Sequence, residues 1–427
     1  MKQRGIWLLL VSALLALTVA CGGSATPTPT TSTSAGTTSS PTAATSMASP
    51  TATKAAATAT TSAAGSATTT ASATAVSTAQ ATPGIADWVT PSTSASGTIA
   101  LLLPESKTAR YESKDRPLFE AKLKALCPNC KIIYSNANQD ASAQQQQAEA
   151  ALANGAKVLV LDPVDGKAAA VIADKAKAQG VPVIAYDRLI QNSDGVTYYI
   201  SFDNTRVGQL QAQALVQALS GKSKPQIVMI NGAPTDPNAG QFKAGAHSVF
   251  DPLVQAGKLV IAKEYDTPDW SPDQAQNEMQ QALTALGNKV DGVYAANDGT
   301  AGGAIAAMKA AGLNPLPPVT GQDAELAAIQ RIVAGEQYMT VYKPLKPEAE
   351  IAAELAYSLL TNTPVPSSVT AGKTTPNGKI NVPSVLLTPI VVTKDNIKDT
   401  VVKDGFWTVQ QICTADYATA CKNAGLQ

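Results

Sequence analysis

From Gly97 onward, short runs rich in Val, Ile and Leu alternate with amphipathic stretches, and this rhythm constrains the fold more than any other feature of the chain. The expected strands are residues 98–103, 131–134, 157–161, 181–186, 198–202, 226–230, 259–262, 291–296 and 319–321. Between them lie helical periodicities: Val207, Leu210, Ala214, Leu215, Ala218 and Leu219 share one face, as do Met279, Ala282, Leu283 and Leu286. A βαβα order implies an α/β fold with parallel sheets covered by helices on both sides. About nine strands over roughly 300 residues is more than one core normally holds, so two such sheets are expected.

Composition narrows the partners. The chain has 427 residues, with 32 basic and 32 acidic side chains. That balance argues against a nucleic-acid partner, which demands a basic face. His247 is the single histidine, so any histidine-based metal site or proton relay would rest on it alone. No Gly-x-Ser-x-Gly elbow, phosphate-cradling Gly-rich loop or His-Glu-x-x-His helix occurs. No catalytic residue, metal or cofactor is therefore expected.

The beginning of the chain reads as an export address. Lys2 and Arg4 precede an apolar run at 6–19, of signal-peptide length and short for a membrane span. It ends at Ala20-Cys21, and this resembles a bacterial lipoprotein signal, with Thr18 where that pattern usually has leucine. The resemblance implies a signal peptide over 1–20 and lipidation of Cys21, which would anchor the protein to the outer face of the cell membrane. Residues 21–95 are almost entirely Ser, Thr, Ala, Pro and Gly. Such a segment has too few large apolar side chains to offset the entropy of ordering, and it reads as a disordered tether.

Four further cysteines, Cys127, Cys130, Cys413 and Cys421, lie in the body and in a C-terminal tail at 407–427. In an exported chain they suggest two disulfides. Three pairings are possible; the local ones, Cys127–Cys130 and Cys413–Cys421, are expected. A redox centre at Cys127-Pro-Asn-Cys130 fits poorly, because the motif precedes a strand instead of following one and opening a helix.

Ligands of open parallel sheets bind beyond the carboxyl ends of the strands. Here those ends are repeatedly polar: Asp187-Arg188, Asn297-Asp298, Gln322-Asp323, Asn231 with Asp236 and Asn238, and a first loop holding Lys107, Arg110 and Tyr111. Each alone is weak, since Asp and Asn are common caps and turn formers. Together they suit a neutral polyol, whose hydroxyls each donate once and accept twice. Tyr111 and Trp270 are candidates to cover the apolar face of a sugar ring.

At 186–190, 199–204, 207–212, 297–304, 321–326, 339–344, 382–389 and 395–406 the sequence resembles the bacterial D-xylose-binding proteins, extracytoplasmic receptors of ABC sugar importers. The similarity runs from about Gly97 to Phe406. It implies a two-lobed fold with three hinge crossings that closes over a monosaccharide, with D-xylose favoured. Residues 97–203 plus 344–386 would form the N-terminal lobe, and 205–342 plus 389–406 the C-terminal lobe. By position, the resemblance assigns ligand contacts to Arg110, Tyr111, Asp187, Arg188, Asn238, Trp270, Asn297, Asp323 and Lys343. Tyr111 stands where that family has Trp, and the first loop lacks its Asp pair. The implied partners are an ABC permease and its ATPase, with the receptor monomeric; presentation of the closed form to a chemoreceptor or histidine kinase is the alternative.

Overall fold

The structure, a computed structural model, describes residues 88–426. The expected signal peptide, Cys21 and most of the expected tether lie outside the described residues. The last part of the expected tether does not behave as one. Val89 is buried, the Trp88 indole donates to Ser358 Oγ at 3.1 Å, and the Ser92 N–H donates to the Leu126 carbonyl. Two large apolar side chains suffice to dock this stretch, so the packed body begins before residue 96.

The strands are β1 (Ser96–Leu103), β2 (Asn129–Asn136), β3 (Val158–Leu161), β4 (Val183–Tyr186), β5 (Val196–Phe202), β6 (Gln226–Asn231), β7 (Val260–Asp266), β8 (Gly292–Ala295), β9 (Met339–Tyr342), β10 (Thr374–Pro376), β11 (Asn381–Leu387) and β12 (Ile390–Thr393). The first sheet has the order β10-β11-β5-β4-β3-β1-β2 and is parallel except for β10. A second, parallel sheet has the order β7-β6-β8, and an antiparallel ribbon pairs β9 with β12. The chain leaves the first sheet after β5, returns after β9 and leaves again after β11.

The helices used below are α1 (Arg116–Leu126), α2 (Ala141–Ala153), α3 (Ala170–Ala178), α4 (Asn204–Ala218), α5 (Pro237–Gln255), α6 (Pro272–Leu286), α7 (Asp298–Ala310), α8 (Leu326–Ala334) and α9 (Leu345–Thr361). The first sheet is covered on both faces. Leu101, Val160, Ile184 and Ile200 point into a core shared with α1 and α9, while Ala100, Leu102, Leu159 and Val183 meet α2 and α3. Burial on both sides explains why these strands read as unbroken apolar runs. In the second lobe α4 and α5 pack closely, because Gly208 and Gly245 have no side chain. A Cβ on Gly208 would stand 1.9 Å from the Phe242 carbonyl oxygen.

Three expectations need correction. Residues 319–321 are not a ladder strand: Val319 forms an isolated bridge to Val293, and the next bridge, Gln322 to Val341, lies beyond the span. Pro317 and Pro318 have no N–H to donate, and the Thr320 hydroxyl takes the Ala295 N–H, at 2.9 Å, that a strand carbonyl would otherwise receive. Cys130 lies within β2, not before it. The segment 389–406 is divided: β12 pairs in the second lobe, whereas Val401 and Phe406 join the apolar cluster that holds Tyr111 and Phe119. The tail continues that packing. Ile412, Cys421 and Leu426 are buried, and Gln330 of α8 donates to the carbonyls of Gln411 and Ile412. Cys127 pairs with Cys130 and Cys413 with Cys421.

Candidate ligand site

All nine side chains expected to touch ligand line one cavity between the two sheets: Arg110, Tyr111, Asp187, Arg188, Asn238, Trp270, Asn297, Asp323 and Lys343. Strand ends put them there. Arg110 and Tyr111 follow β1, Asp187 and Arg188 follow β4, and Asn297 follows β8. Asp187 and Asp323 adopt left-handed backbone, with φ of 55° and 91°. Asp tolerates that region better than bulky residues do, and it turns the Asp187 carboxylate sharply off β4.

Asp187 is the centre of the network. Its Oδ1 faces Arg110 Nη1 at 3.1 Å and Lys343 Nζ at 3.9 Å, and its Oδ2 accepts from the Tyr111 hydroxyl at 2.9 Å. Its main-chain carbonyl accepts from Ser201 Oγ at 2.6 Å and, from the opposite lobe, Asn238 Nδ2 at 3.0 Å. Burial opposes ionisation here, but Arg110, Lys343 and Arg188 outweigh it and hold the carboxyl down at about 2. Lys343, on the crossing after β9, also meets Asp323 Oδ1 at 3.0 Å.

Arg188 is fully enclosed. Its Nε lies 3.0 Å from Asp236 Oδ2 across the lobes, and Glu105 and Asp162 stand at 3.5 and 3.6 Å. Trp270 donates its indole N–H to the same Asp236 oxygen at 3.0 Å and meets Phe242 edge-on. Asn297 caps α7 by accepting from Thr300 N at 2.9 Å. The Asn238 Oδ1 and Gln322 Oε1 acceptors are buried in the lining without a hydrogen-bond partner among the described residues. Such acceptors call for a donor.

Three buried cations thus face seven carboxylates: Glu105, Asp115, Asp162, Asp187, Asp236, Asp323 and Glu348. Burial raises the carboxyls of Glu105, Asp162, Asp236 and Glu348, so further negative charge in this space is disfavoured. The result suits a neutral ligand better than a charged one. The cavity measures about 20 Å³, space for about one water molecule. A larger ligand therefore enters by separation of the lobes and their cross-cavity pairs, not by falling into a preformed hole.

Sequence reasoning missed several participants. Gln322 and Asp236 were read among the polar strand ends but not assigned to the ligand, and Asp162, which follows β3 and carries the same signal, was passed over. Thr108 and Phe242 line the cavity from a loop and from α5. Glu348, which receives Arg110 Nη2 at 2.6 Å, lies in the first turn of α9 between Lys346 and Glu350, where an acidic side chain reads as an ordinary helix-start residue.

A family model described as a periplasmic binding protein domain matches residues 99–364. The D-xylose-binding periplasmic protein of Escherichia coli (strain K12) is 43% identical over 308 residues, covering 72% of this chain and 90% of that protein. Its Haemophilus influenzae counterpart is 42% identical over 314 residues, covering 74% and 91%. An ABC transporter solute-binding protein from Clostridium phytofermentans with bound β-D-glucose superposes with a TM-score of 0.69 at 31% identity, covering 74% of this chain and 99% of its own. The two-lobed, mostly parallel architecture and this extent of identity place the chain in the periplasmic binding protein family.

Proposed function

We propose that this protein is the extracytoplasmic receptor of an ABC sugar importer. It captures a neutral monosaccharide, D-xylose before other aldopentoses or glucose, by closing its two lobes. The observation that carries this reading is the cavity itself. Guanidinium and ammonium donors, carboxylate and amide acceptors and the rings of Tyr111, Phe242 and Trp270 converge on one buried space. Two relatives above 40% identity are D-xylose-binding proteins, which favours that sugar.

Asp187, Arg188 and Arg110 bind from the first lobe, Asn238, Asn297 and Asp323 from the second, with Lys343 at the hinge and Tyr111 and Trp270 against the ring. The lobes are taken as 97–203 with 344–386, and 205–342 with β12. The receptor acts as a monomer, held to the membrane through a lipid on Cys21 and a tether that ends before residue 88. Asp187, held ionised, is an acceptor and not a general acid, in keeping with a role in binding instead of catalysis. Titration calorimetry against D-xylose, D-ribose, L-arabinose, D-glucose and D-galactose tests the reading. D-xylose is expected to bind most tightly; heat from none of these sugars would refute it.

A further inference from the structure

The Tyr111 hydroxyl donates to Asp187 Oδ2 at 2.9 Å and accepts from Arg188 Nη2 at 3.1 Å. One oxygen that gives to a carboxylate and takes from a guanidinium is the bonding pattern of a bound sugar hydroxyl. The ring cannot easily leave this position. It is 2% exposed, packed with Phe119 in the core, and flanked by the guanidiniums of Arg110 at 5.3 Å and Arg188 at 5.5 Å from its centroid. Burial pushes its phenol well above the usual range, so it keeps the proton it donates.

We propose that the Tyr111 hydroxyl stands in for one ligand hydroxyl and thereby sets the site for a pentose over its hydroxymethyl-bearing hexose counterpart. This inference rests on the sugar-binding reading above. D-Xylose and D-glucose carry the same ring hydroxyls in the same orientations and differ in the hydroxymethyl group of glucose. In the presence of the phenol oxygen, Asp187 Oδ2 and Arg188 Nη2 are already matched, and the extra hydroxyl of glucose finds neither partner. A hydroxyl buried without partners loses its hydrogen bonds to water and gains none in return.

Tyr111→Phe removes one oxygen and keeps the ring. It leaves a carboxylate oxygen and an N–H unmatched, which the hydroxymethyl oxygen of glucose can then bridge. Titration calorimetry on wild type and Tyr111→Phe, with D-xylose, D-glucose and 6-deoxy-D-glucose, tests this. The wild type is expected to bind D-xylose more tightly than D-glucose. In Tyr111→Phe the ratio of the two affinities is expected to move toward D-glucose by at least about tenfold, the scale of one polar match. 6-Deoxy-D-glucose, which lacks the bridging oxygen, should not share the gain. A ratio that moves by less than tenfold, or an equal gain for the deoxy sugar, overturns the inference and leaves the receptor reading standing. A wild type that prefers D-glucose overturns it without any variant. A wild type that binds none of these sugars overturns both.

Discussion

Asp298 shows how a single buried side chain ties stability to pH. It follows Asn297 but points away from the cavity, accepting from Thr340 Oγ1 at 2.9 Å, Gln337 Nε2 at 2.7 Å and the Glu325 N–H at 2.9 Å. Burial raises its carboxyl to about 7, and burial together with Asp298 raises Glu325 to about 8. Unfolded, both titrate near 4. Between these values the folded chain holds more protons than the unfolded one. Their stabilisation is therefore present at and below about pH 4 and is lost as pH rises through about 7 to 8. His247 acts with the same sign: burial lowers it, but Asp251 at 2.8 Å and Glu264 at 3.1 Å raise it overall. Asp298→Asn, which cannot ionise, should flatten the fall of Tm between pH 5 and pH 8. Thermal melts across that range check this; identical slopes in variant and wild type would contradict it. Sequence reading placed Asp298 beside the site by its strand-end position, yet whether a carboxylate faces ligand or a neighbouring helix depends on packing that no local pattern encodes.

Helix and strand elements set the frame for those side chains. Helices α4 and α5 touch through Gly208 and Gly245; a Cβ on Gly245 would lie 2.1 Å from the Thr205 carbonyl oxygen. Gly208→Ala forces the helices apart and should cost about 1–3 kcal/mol by overpacking, measured by denaturant unfolding. An unchanged midpoint would show that the helices separate without penalty. The four body cysteines are paired within short stretches, so peptide mapping without reductant should return Cys127 with Cys130, Cys413 with Cys421 and no free thiol. A Cys127–Cys413 link would contradict this. Eight of the expected strands coincide with observed ones to within a few residues; most are buried on both faces and read as continuous apolar runs, whereas β2 and β7 are only partly buried and show through short apolar stretches. Strands β10 and β11 and the β9–β12 ribbon escaped prediction. The strand β9 has four residues, and β11 carries Pro383 and Ser384 among its apolar positions, so neither gives a clear period. Their assignment depends on partners distant in sequence: β11 pairs with β5, nearly two hundred positions earlier in the chain.

At the scale of the whole molecule the chain joins its two sheets by three crossings and seals them with cross-lobe contacts. Arg188 meets Asp236, Asn238 meets the Asp187 carbonyl, and the Gly166 N–H donates to the Thr235 carbonyl at 3.1 Å. A ligand that bridges the same surfaces favours the closed form by its differential affinity for it. Solution scattering should show a smaller radius of gyration with saturating D-xylose than without; equal values would count against closure. Mass spectrometry of cell-derived protein should find a lipid on Cys21, and an unmodified mature N-terminus elsewhere would exclude the anchor.

The placement of the sugar inside the cavity is tested most directly by calorimetry on the wild type, Asp187→Ala and Asp323→Ala. Removing either carboxylate leaves Arg110 or Lys343 with a lost partner in a desolvated space, which costs about 1–3 kcal/mol or more. The wild type should bind one D-xylose per chain, and each variant should bind at least about tenfold more weakly. Wild-type affinity in both variants would contradict the account.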